Sequence, residues 1–213
     1  MKADLEARLG YEIRMENDAN CFAVSEASDG AAAGLGVVFG VILGTGVGGG
    51  VVIDGRPLTG AQAIAGEWGH NPLPMPRDDE RRGPLCYCGR TGCIETWLSG
   101  PRVQQEFKHL TGRTLRATEI SEAALTGDKH AAGYMELYSD RLARALASVV
   151  NIVDPHAVVL GGGLSRMTQL YTRVPELWKP HVFSEANHIV TKILPPKHGD
   201  SSGVRGAAWL WAE

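Results

Sequence analysis

The chain has 213 residues, a formal net charge of -3, 44% hydrophobic residues and 21% charged residues. This length fits one large domain or two small ones, since domains cluster near roughly 100–150 residues. The composition excludes disordered, collagen-like and coiled-coil chains, and the scattered basic residues form no surface for binding nucleic-acid phosphates.

No stretch of the sequence approaches the roughly 20 consecutive apolar residues of a membrane span. The first ten residues, MKADLEARLG, are charged rather than signal-like. Three of the four cysteines crowd into residues 86–93, a spacing that suits a metal better than disulfides. We therefore expect a cytoplasmic protein whose partners include neither a membrane nor a nucleic acid.

The N-terminal part predicts a helix, a strand and a second helix. Leu5 and Leu9 are spaced for one face of a short amphipathic helix, and YEIRME, residues 11–16, has the pattern of a strand. The next segment, beginning at Asp18, has the composition of a helix of about three turns that ends at Gly30. Asp18 is thus expected where a strand gives way to a helix.

The middle of the chain predicts the start of a sheet. VVFGVILG, residues 37–44, is a continuous apolar run typical of a strand buried on both faces. GTGVGGG follows as a turn, and VVIDGRPLTG predicts a second strand whose Asp54-Gly55 turn starts a hairpin. Residues 71–84 contain four prolines and six consecutive charged residues, so we expect a surface loop there.

The C-terminal part alternates helices and strands. Apolar residues recur at three- and four-residue intervals from 130 to 153, which predicts a long helix, and HAVVLGGG predicts a buried strand after it. There follow a helix bent or divided at Pro175, a strand in HIVTKILP, and a closing helix over residues 203–212 capped by Ser201 or Ser202. Strand, helix and strand in succession indicate an α/β fold.

The strongest chemical motif is a cluster of three cysteines preceded by a histidine. Three thiolates and one imidazole form a closed tetrahedral donor set of the kind that holds a structural zinc ion. Gly89 and Gly92 permit the tight turn that this arrangement requires. The alternative is three buried cysteines in a glycine turn. We predict zinc binding by His70, Cys86, Cys88 and Cys93.

Two glycine-rich turns are candidates for binding a nucleotide. In GTGVGGG, successive N–H groups can approach an anion and Thr45 adds a hydroxyl, although a simple glycine hairpin explains these residues equally well. The motif is neither GxGxxG opening a helix nor GxxxxGK[ST], which argues against a Rossmann or P-loop site. In VLGGGLS, residues 159–165, the glycines either make room for a base and ribose or pack a helix closely on the preceding strand.

Several acidic and amide side chains have no obvious structural role. Asp18 follows Asn17 at a predicted strand end, a position that suits a general base, although a helix N-cap is the simpler interpretation. Glu67 and Glu95 flank the metal loop, where they are either solvated charges or acceptors for hydroxyl groups. Such a set of acceptors suits a sugar.

These motifs, in this order, resemble those of one protein family. ENDAN, ILGTGVGGG, GEWGH, CYCGRTGCIE and VVLGGGLS are similar to strings of the ROK family of bacterial sugar kinases and repressors. The resemblance covers residues 4–211 and implies an actin/hexokinase-type, ribonuclease H-like ATPase fold of the α/β class. EWGHNPLP and KHGDSSGVRGAAWLW are most similar to ROK fructokinases, also called mannokinases, while NDANCF is shared with N-acetylglucosamine kinases.

The resemblance implies ATP-dependent phosphorylation of a hexose such as fructose or mannose, with Mg²⁺ bridging the ATP phosphates and a structural zinc ion. Asp18 would be the catalytic base. The sugar hydroxyls would be held by Asn17, Glu67, His70 and Glu95. The phosphates would contact Gly44, Thr45 and Gly46, and adenosine would lie near Gly162 and Gly163.

Members of this family begin with a DxGGT phosphate loop in an N-terminal lobe, and the sequence contains no such string. The resemblance therefore divides the chain into a remnant of the N-terminal lobe, residues 1–16, and a C-terminal lobe, residues 17–213, with a zinc loop at 70–95. Such a lobe exposes apolar area, so we expect a homo-oligomer, such as a dimer. A sugar-binding module, as in the family's repressors, and a zinc-stapled lobe without ligand are the alternatives.

Overall fold

The computed structural model describes residues 2–185 and 188–211. Within these ranges the strands are β1 (Val37–Leu43), β2 (Val47–Ile53), β3 (Arg56–Pro57), β4 (Ala157–Gly161) and β5 (Lys192–Leu194). They form one mixed sheet with the spatial order β3-β2-β1-β4-β5. Strand β1 pairs antiparallel with β2 and parallel with β4, and β5 pairs parallel with β4. The carboxyl ends of β1 and β4 therefore lie at the same edge of the sheet.

Helices cover both faces of the sheet. They are α1 (Lys2–Leu9), α2 (Asp18–Ser28), α3 (Glu95–Leu98), α4 (Gly100–Thr111), α5 (Ala117–Leu125), α6 (Lys129–Val153), α7 (Leu170–Leu177) and α8 (Ser202–Trp209). Val38 of β1 joins an apolar cluster with Phe22 and Val24 of α2. Phe39 and Leu43 join the larger core built by α4, α5, α6 and α7. Burial on both faces explains why β1 is continuously apolar.

Most of the predicted elements are confirmed. Asp54 and Gly55 form the turn between β2 and β3, with positive φ angles of 48° and 77°. The long predicted helix is α6, and the Asp128 side chain caps it by accepting the Ala131 N–H at 3.0 Å. The α/β class is confirmed as well. Helices α4 and α5 lie in a stretch for which we made no prediction.

The predicted strand at residues 11–16 is wrong. These residues are irregular, and the Ile13 N–H donates to a Glu6 carboxylate oxygen at 2.9 Å instead of to a neighbouring strand. Asp18 therefore follows an irregular segment. Helix α1 contains no buried residue, and the division of the chain at residues 16 and 17 stays a prediction.

The C-terminal predictions hold in outline and fail in detail. Pro175 lies inside α7 without dividing it. Ser201 occupies the predicted N-cap position of α8 but makes no capping hydrogen bond, because its hydroxyl donates to the His198 carbonyl, and the Ser202 hydroxyl donates to Glu26. The closing helix ends at Trp209, and residue 212 of the predicted helix lies outside the described residues.

The predicted surface loop at 71–84 contains a buried charge. Glu80 is 3% exposed and binds two buried arginines of α6, Arg141 at 2.8 Å and Arg144 at 2.9 Å. Arg141 also contacts Glu106 of α4 at 2.6 Å. We call these four residues the ionic cluster. It fastens the loop to α6, so the six consecutive charged residues do not all face solvent.

The closing helix leaves apolar side chains at the surface, since Trp209 and Trp211 are 36% and 48% exposed. The predicted homo-oligomer rests on such surfaces and stays a prediction. None of the described helices combines the length and the apolar character needed to cross a membrane.

Candidate functional site

The predicted site residues converge on the first half of β2. Ala19, in the first turn of α2, packs against Gly48. Trp68 donates through Nε1 to the Gly48 carbonyl at 2.9 Å, and the Glu95 carboxylate accepts the Val47 N–H at 3.0 Å. Three segments far apart in sequence therefore meet beside the turn between β1 and β2.

Asn17, not Asp18, caps helix α2. The Asn17 side-chain oxygen accepts the Asn20 N–H at 2.7 Å and so satisfies one of the free donors of the first turn. Asp18 is the first helical residue, is exposed, and accepts the Ala19 N–H through Oδ1 at 2.9 Å. The N-cap interpretation of Asp18 is therefore wrong. In the described part of the chain, its Oδ2 has no hydrogen-bond partner and is available to a ligand.

The GEWGH string is fixed by its tryptophan. Trp68 is buried and lies edge-on to Phe39, with ring centroids 5.6 Å apart. Glu67 precedes it as an exposed residue, and His70 ends the 3₁₀ turn that begins at Trp68. One buried side chain thus positions two polar neighbours. We predicted no role for Trp68, although its place between two predicted site residues was a usable signal.

Glu95 joins the metal loop to the β1–β2 turn. It is the first residue of α3, two positions after Cys93, and its Oε2 holds the Val47 N–H. A Cβ on Gly46 would lie 2.7 Å from the same oxygen, so a larger residue there would displace the Glu95 carboxylate. Glu95 is half-buried and hydrogen-bonded, and it is not a freely solvated charge.

The glycines of GTGVGGG have two different environments. A Cβ at any of residues 48–50 would press on α2 or on Trp68, so close packing explains these three glycines. At the turn itself, the Gly44 N–H donates to the Gly46 carbonyl at 3.0 Å, and Thr45 is exposed. The packing interpretation therefore covers the second half of the motif, whereas packing does not explain the turn, where Thr45 is exposed.

The two glycines after β4 also differ. A Cβ on Gly162 would lie 2.4 Å from the Leu43 carbonyl oxygen, which supports the close-packing interpretation at that residue. Gly163 is exposed, and among the described residues no atom would crowd a Cβ added to it. Because β1 and β4 are parallel neighbours, Gly163 and the Thr45 turn lie at the same carboxyl edge of the sheet.

The structure brings the four predicted metal ligands together. The donor atoms of His70, Cys86, Cys88 and Cys93 all lie within 4.8 Å of one another. Cys88 Sγ is 3.6 Å from Cys93 Sγ, and Cys86 Sγ is 3.5 Å from His70 Nδ1. A tetrahedral zinc site with Zn–S bonds of about 2.3 Å has S···S edges of about 3.8 Å, so the residues fit such an ion. The positive φ angles of Gly89 and Gly92, 86° and 71°, confirm the predicted tight turn.

The thiols of this cluster are strongly coupled. The Arg90 N–H, followed by the neighbouring thiols, lowers the pKa of Cys88 to about 7. Burial, followed by hydrogen bonds with Cys88 and Cys86, raises the pKa of Cys93 to about 12. Ionisation of one thiol thus makes ionisation of a neighbouring thiol less favourable. A bound cation removes this penalty because it stabilises all three thiolates.

Comparison with known proteins identifies the family of the chain. Residues 1–213, the whole chain, match the sequence model of the ROK family. The chain belongs to the ROK family. An N-acetyl-D-glucosamine kinase of Photobacterium profundum is 44% identical over 214 residues, which cover 99% of this chain and 70% of that protein.

Solved ROK structures share the fold. The ROK hexokinase from Thermus thermophilus superposes with a TM-score of 0.84 and 31% identity, over 98% of this chain and 67% of that one. A ROK glucokinase from Streptomyces griseus, solved in complex with glucose and AMPPNP, gives a TM-score of 0.82 and 28% identity over 98% and 71% of the two chains. The predicted actin/hexokinase-type fold is confirmed.

The predicted site residues of this ROK chain do not line the cavity of about 640 Å³ beside α4. That cavity is lined by Pro84, Thr96, Trp97, Arg102, Gln105, Glu106, Lys108 and His109. Asp18 and Glu67 are instead exposed next to Ala19 and Trp68, which contact Gly48 at the start of β2, and Thr45 is exposed in the turn before that strand. The sugar and nucleotide roles of these residues stay predictions at this point.

Substitution of one cysteine tests the metal assignment in this ROK chain. Cys88→Ser is expected to lower the zinc content below one ion per chain and to lower the melting temperature, because metal-binding energy is also folding energy. Mass spectrometry of the metal and a thermal melt measure both effects. Cys21→Ala is the matched control, since Cys21 lies in α2 outside the cluster, and it should keep one zinc per chain. Unchanged zinc content in Cys88→Ser would contradict the assignment.

Proposed function

We propose that the chain catalyses the ATP-dependent phosphorylation of an amino sugar, N-acetylglucosamine or a close relative. The observation that carries this proposal is the convergence of Asp18, Glu67 and Glu95 with the exposed Thr45 turn around one end of β2. Phosphoryl transfer depends on positioning and charge stabilisation, and this arrangement puts hydroxyl acceptors beside a turn suited to phosphate. The relatives named N-acetyl-D-glucosamine kinase support the choice of sugar.

Asp18 is assigned the role of general base. Its Oδ2 accepts the proton of a sugar hydroxyl while the hydroxyl oxygen forms a bond to the γ-phosphorus and the bond to the ADP oxygen breaks. The remaining sugar contacts are assigned to Asn17, Glu67 and Glu95 directly, and to His70 through the Tyr87 hydroxyl that lies 2.8 Å from its Nε2. The Asn17 oxygen already caps α2, so its amide nitrogen is the group left for the sugar.

The nucleotide contacts are assigned to the carboxyl edge of the sheet. Thr45 donates to phosphate, Gly44 and Gly46 form the turn that presents it, and Gly163 lies near adenosine beside the close-packed Gly162. Mg²⁺ bound with ATP supplies charge neutralisation on the phosphates.

The predicted zinc ligands would hold a structural ion. Four protein ligands leave no open coordination position, so the metal takes no part in the chemistry. The ion would instead fix the loop that carries His70 and ends at Cys93, two residues before Glu95, the first residue of α3.

The predicted preference for fructose or mannose finds no support among the curated relatives reported above, which are named for N-acetyl-D-glucosamine. In a coupled assay of ADP release, we expect kcat/KM for N-acetylglucosamine to exceed that for glucose, mannose and fructose. Faster turnover of fructose or mannose would overturn the choice of sugar. Sugar binding by calorimetry without any ATP turnover would overturn the kinase proposal and favour the sugar-binding module.

A further inference from the structure

Tyr87 lies on the metal loop between two predicted ligands, Cys86 and Cys88. It is 82% exposed, yet its hydroxyl oxygen lies 2.8 Å from Nε2 of His70. The two rings meet edge to face, with centroids 5.0 Å apart and an angle of 88° between their planes. The surface of the loop therefore carries a phenol whose orientation is fixed by the imidazole.

The two nitrogens of His70 face different partners. Nδ1 is directed into the metal donor set, 3.5 Å from Cys86 Sγ. Nε2 is thus the nitrogen left for a sugar contact, and the Tyr87 hydroxyl already occupies it. At this position the phenol, rather than the imidazole, is the group presented to a ligand.

Metal binding at Nδ1 fixes the direction of the hydrogen bond between the two rings. A neutral imidazole that binds a metal through Nδ1 carries its proton on Nε2, and that N–H can only donate. The Tyr87 oxygen must then accept, and its own proton is free to point away from His70. The metal-loaded loop therefore presents Tyr87 as a hydrogen-bond donor.

The neighbouring carboxylates make this donor significant. Glu67 directly precedes the 3₁₀ turn that ends at His70, and Glu95 follows Cys93 of the same donor set by two residues, so both acids belong to the segments that meet beside the Tyr87–His70 pair. Ionised carboxylates only accept hydrogen bonds, so they bind hydroxyl groups and disfavour a carbonyl oxygen. A carbonyl oxygen on the sugar requires a donor, and Tyr87 adds one to this pair of acceptors.

We propose that the Tyr87 hydroxyl donates a hydrogen bond to the acetamido carbonyl oxygen of an N-acetylated amino sugar and thereby determines specificity. This inference rests on the proposed function and deepens it by assigning the recognition of one substituent to one residue. The proposed hydrogen bond requires the phenol oxygen and not the aromatic ring. A substitution that removes the hydroxyl and keeps the ring can therefore test it.

Tyr87→Phe is the test, with N-acetylglucosamine and 2-deoxyglucose as the two probes, because the second sugar has no substituent at C2. On zinc-loaded protein, calorimetry should show Kd for N-acetylglucosamine rising about five- to tenfold, the usual net effect of one hydrogen bond. Kd for 2-deoxyglucose should stay the same. In turnover, KM for N-acetylglucosamine should rise with kcat unchanged.

Tyr11→Phe is the matched control, since Tyr11 is also exposed and has no assigned role at the site. It should leave both dissociation constants unchanged. Equal weakening of the two sugars in Tyr87→Phe, or no change in either, would overturn the inference. If the unaltered protein binds N-acetylglucosamine without phosphorylating it, the kinase proposal fails while the ratio of dissociation constants still decides the role of Tyr87.

Discussion

Asp18→Asn is expected to lower kcat for sugar phosphorylation by about 10²–10⁴-fold, the usual contribution of a general base. Asparagine keeps the size of the side chain and an oxygen that can accept the Ala19 N–H, so the start of α2 should be preserved. The amide cannot take the proton of the attacking hydroxyl. Steady-state kinetics should show little change in KM for sugar or ATP, because Glu67, Glu95 and Thr45 are untouched.

Asp54→Asn is the matched control for this substitution. Asp54 lies in the β2–β3 turn with a φ of 48°, a left-handed conformation that asparagine tolerates well. The same chemical change there should leave kcat unchanged. A kcat for Asp18→Asn above about one tenth of the wild-type value would show that Asp18 is not the base.

Glu80→Ala is expected to lower the free energy of unfolding by about 3–5 kcal/mol, the typical cost of removing one partner from a buried ion pair. Glu80, Arg141 and Arg144 are each at most 3% exposed, so the substitution removes the Glu80 carboxylate from two buried guanidinium groups. Contacts with Glu106 and Asp140 compensate only in part. Urea denaturation measures the loss.

Asp79→Ala, at the exposed neighbouring residue, is the control for Glu80→Ala and should stay within about 0.5 kcal/mol of the wild type. Glu80→Gln, which keeps a hydrogen-bond acceptor, should fall between the two variants. Equal stability of Glu80→Ala and Asp79→Ala would show that the ionic cluster does not hold the loop.

The ionic cluster also gives stability a pH dependence. Burial alone would raise the pKa of Glu80, but hydrogen bonds from Arg141 and the Arg77 N–H and the charge of Arg144 lower it below its usual value. The folded state therefore binds this proton less tightly than the unfolded state. The stability from Glu80 is present above the usual glutamate pKa and is lost as the pH falls through the lowered value. In Glu80→Ala, the melting temperature should therefore fall less steeply as the pH is lowered.

Patterns along the sequence predicted the features that depend on local spacing. The apolar run at 37–43 is long enough only for a strand and is buried on both faces, and the period of α6 defines one helix face. The clustering of His70, Cys86, Cys88 and Cys93 was predictable because donor type and spacing nearly determine the geometry of such a donor set. Asp18 was placed correctly at the start of a helix, although Asn17 is the cap.

The features that were missed depend on contacts between distant residues. Glu80 resembles its charged neighbours in sequence, and only the fold shows that two arginines some sixty positions away bury it. The role of Trp68 was missed for the same reason, since its hydrogen-bond partner in β2 is 20 positions away. The strand wrongly predicted at 11–16 failed for the same reason, because a strand requires a neighbouring strand and not only an alternating pattern.

The single hydrogen bond between Glu95 and the Val47 N–H couples the two halves of the proposed reaction. The acid assigned to the acceptor sugar also supports the turn assigned to the donor nucleotide. Substitution of Glu95 should therefore change the apparent affinity for both reactants together. Kinetic data for such a variant would therefore report the loss of this connection between the sugar and nucleotide contacts, and not only the loss of one sugar contact.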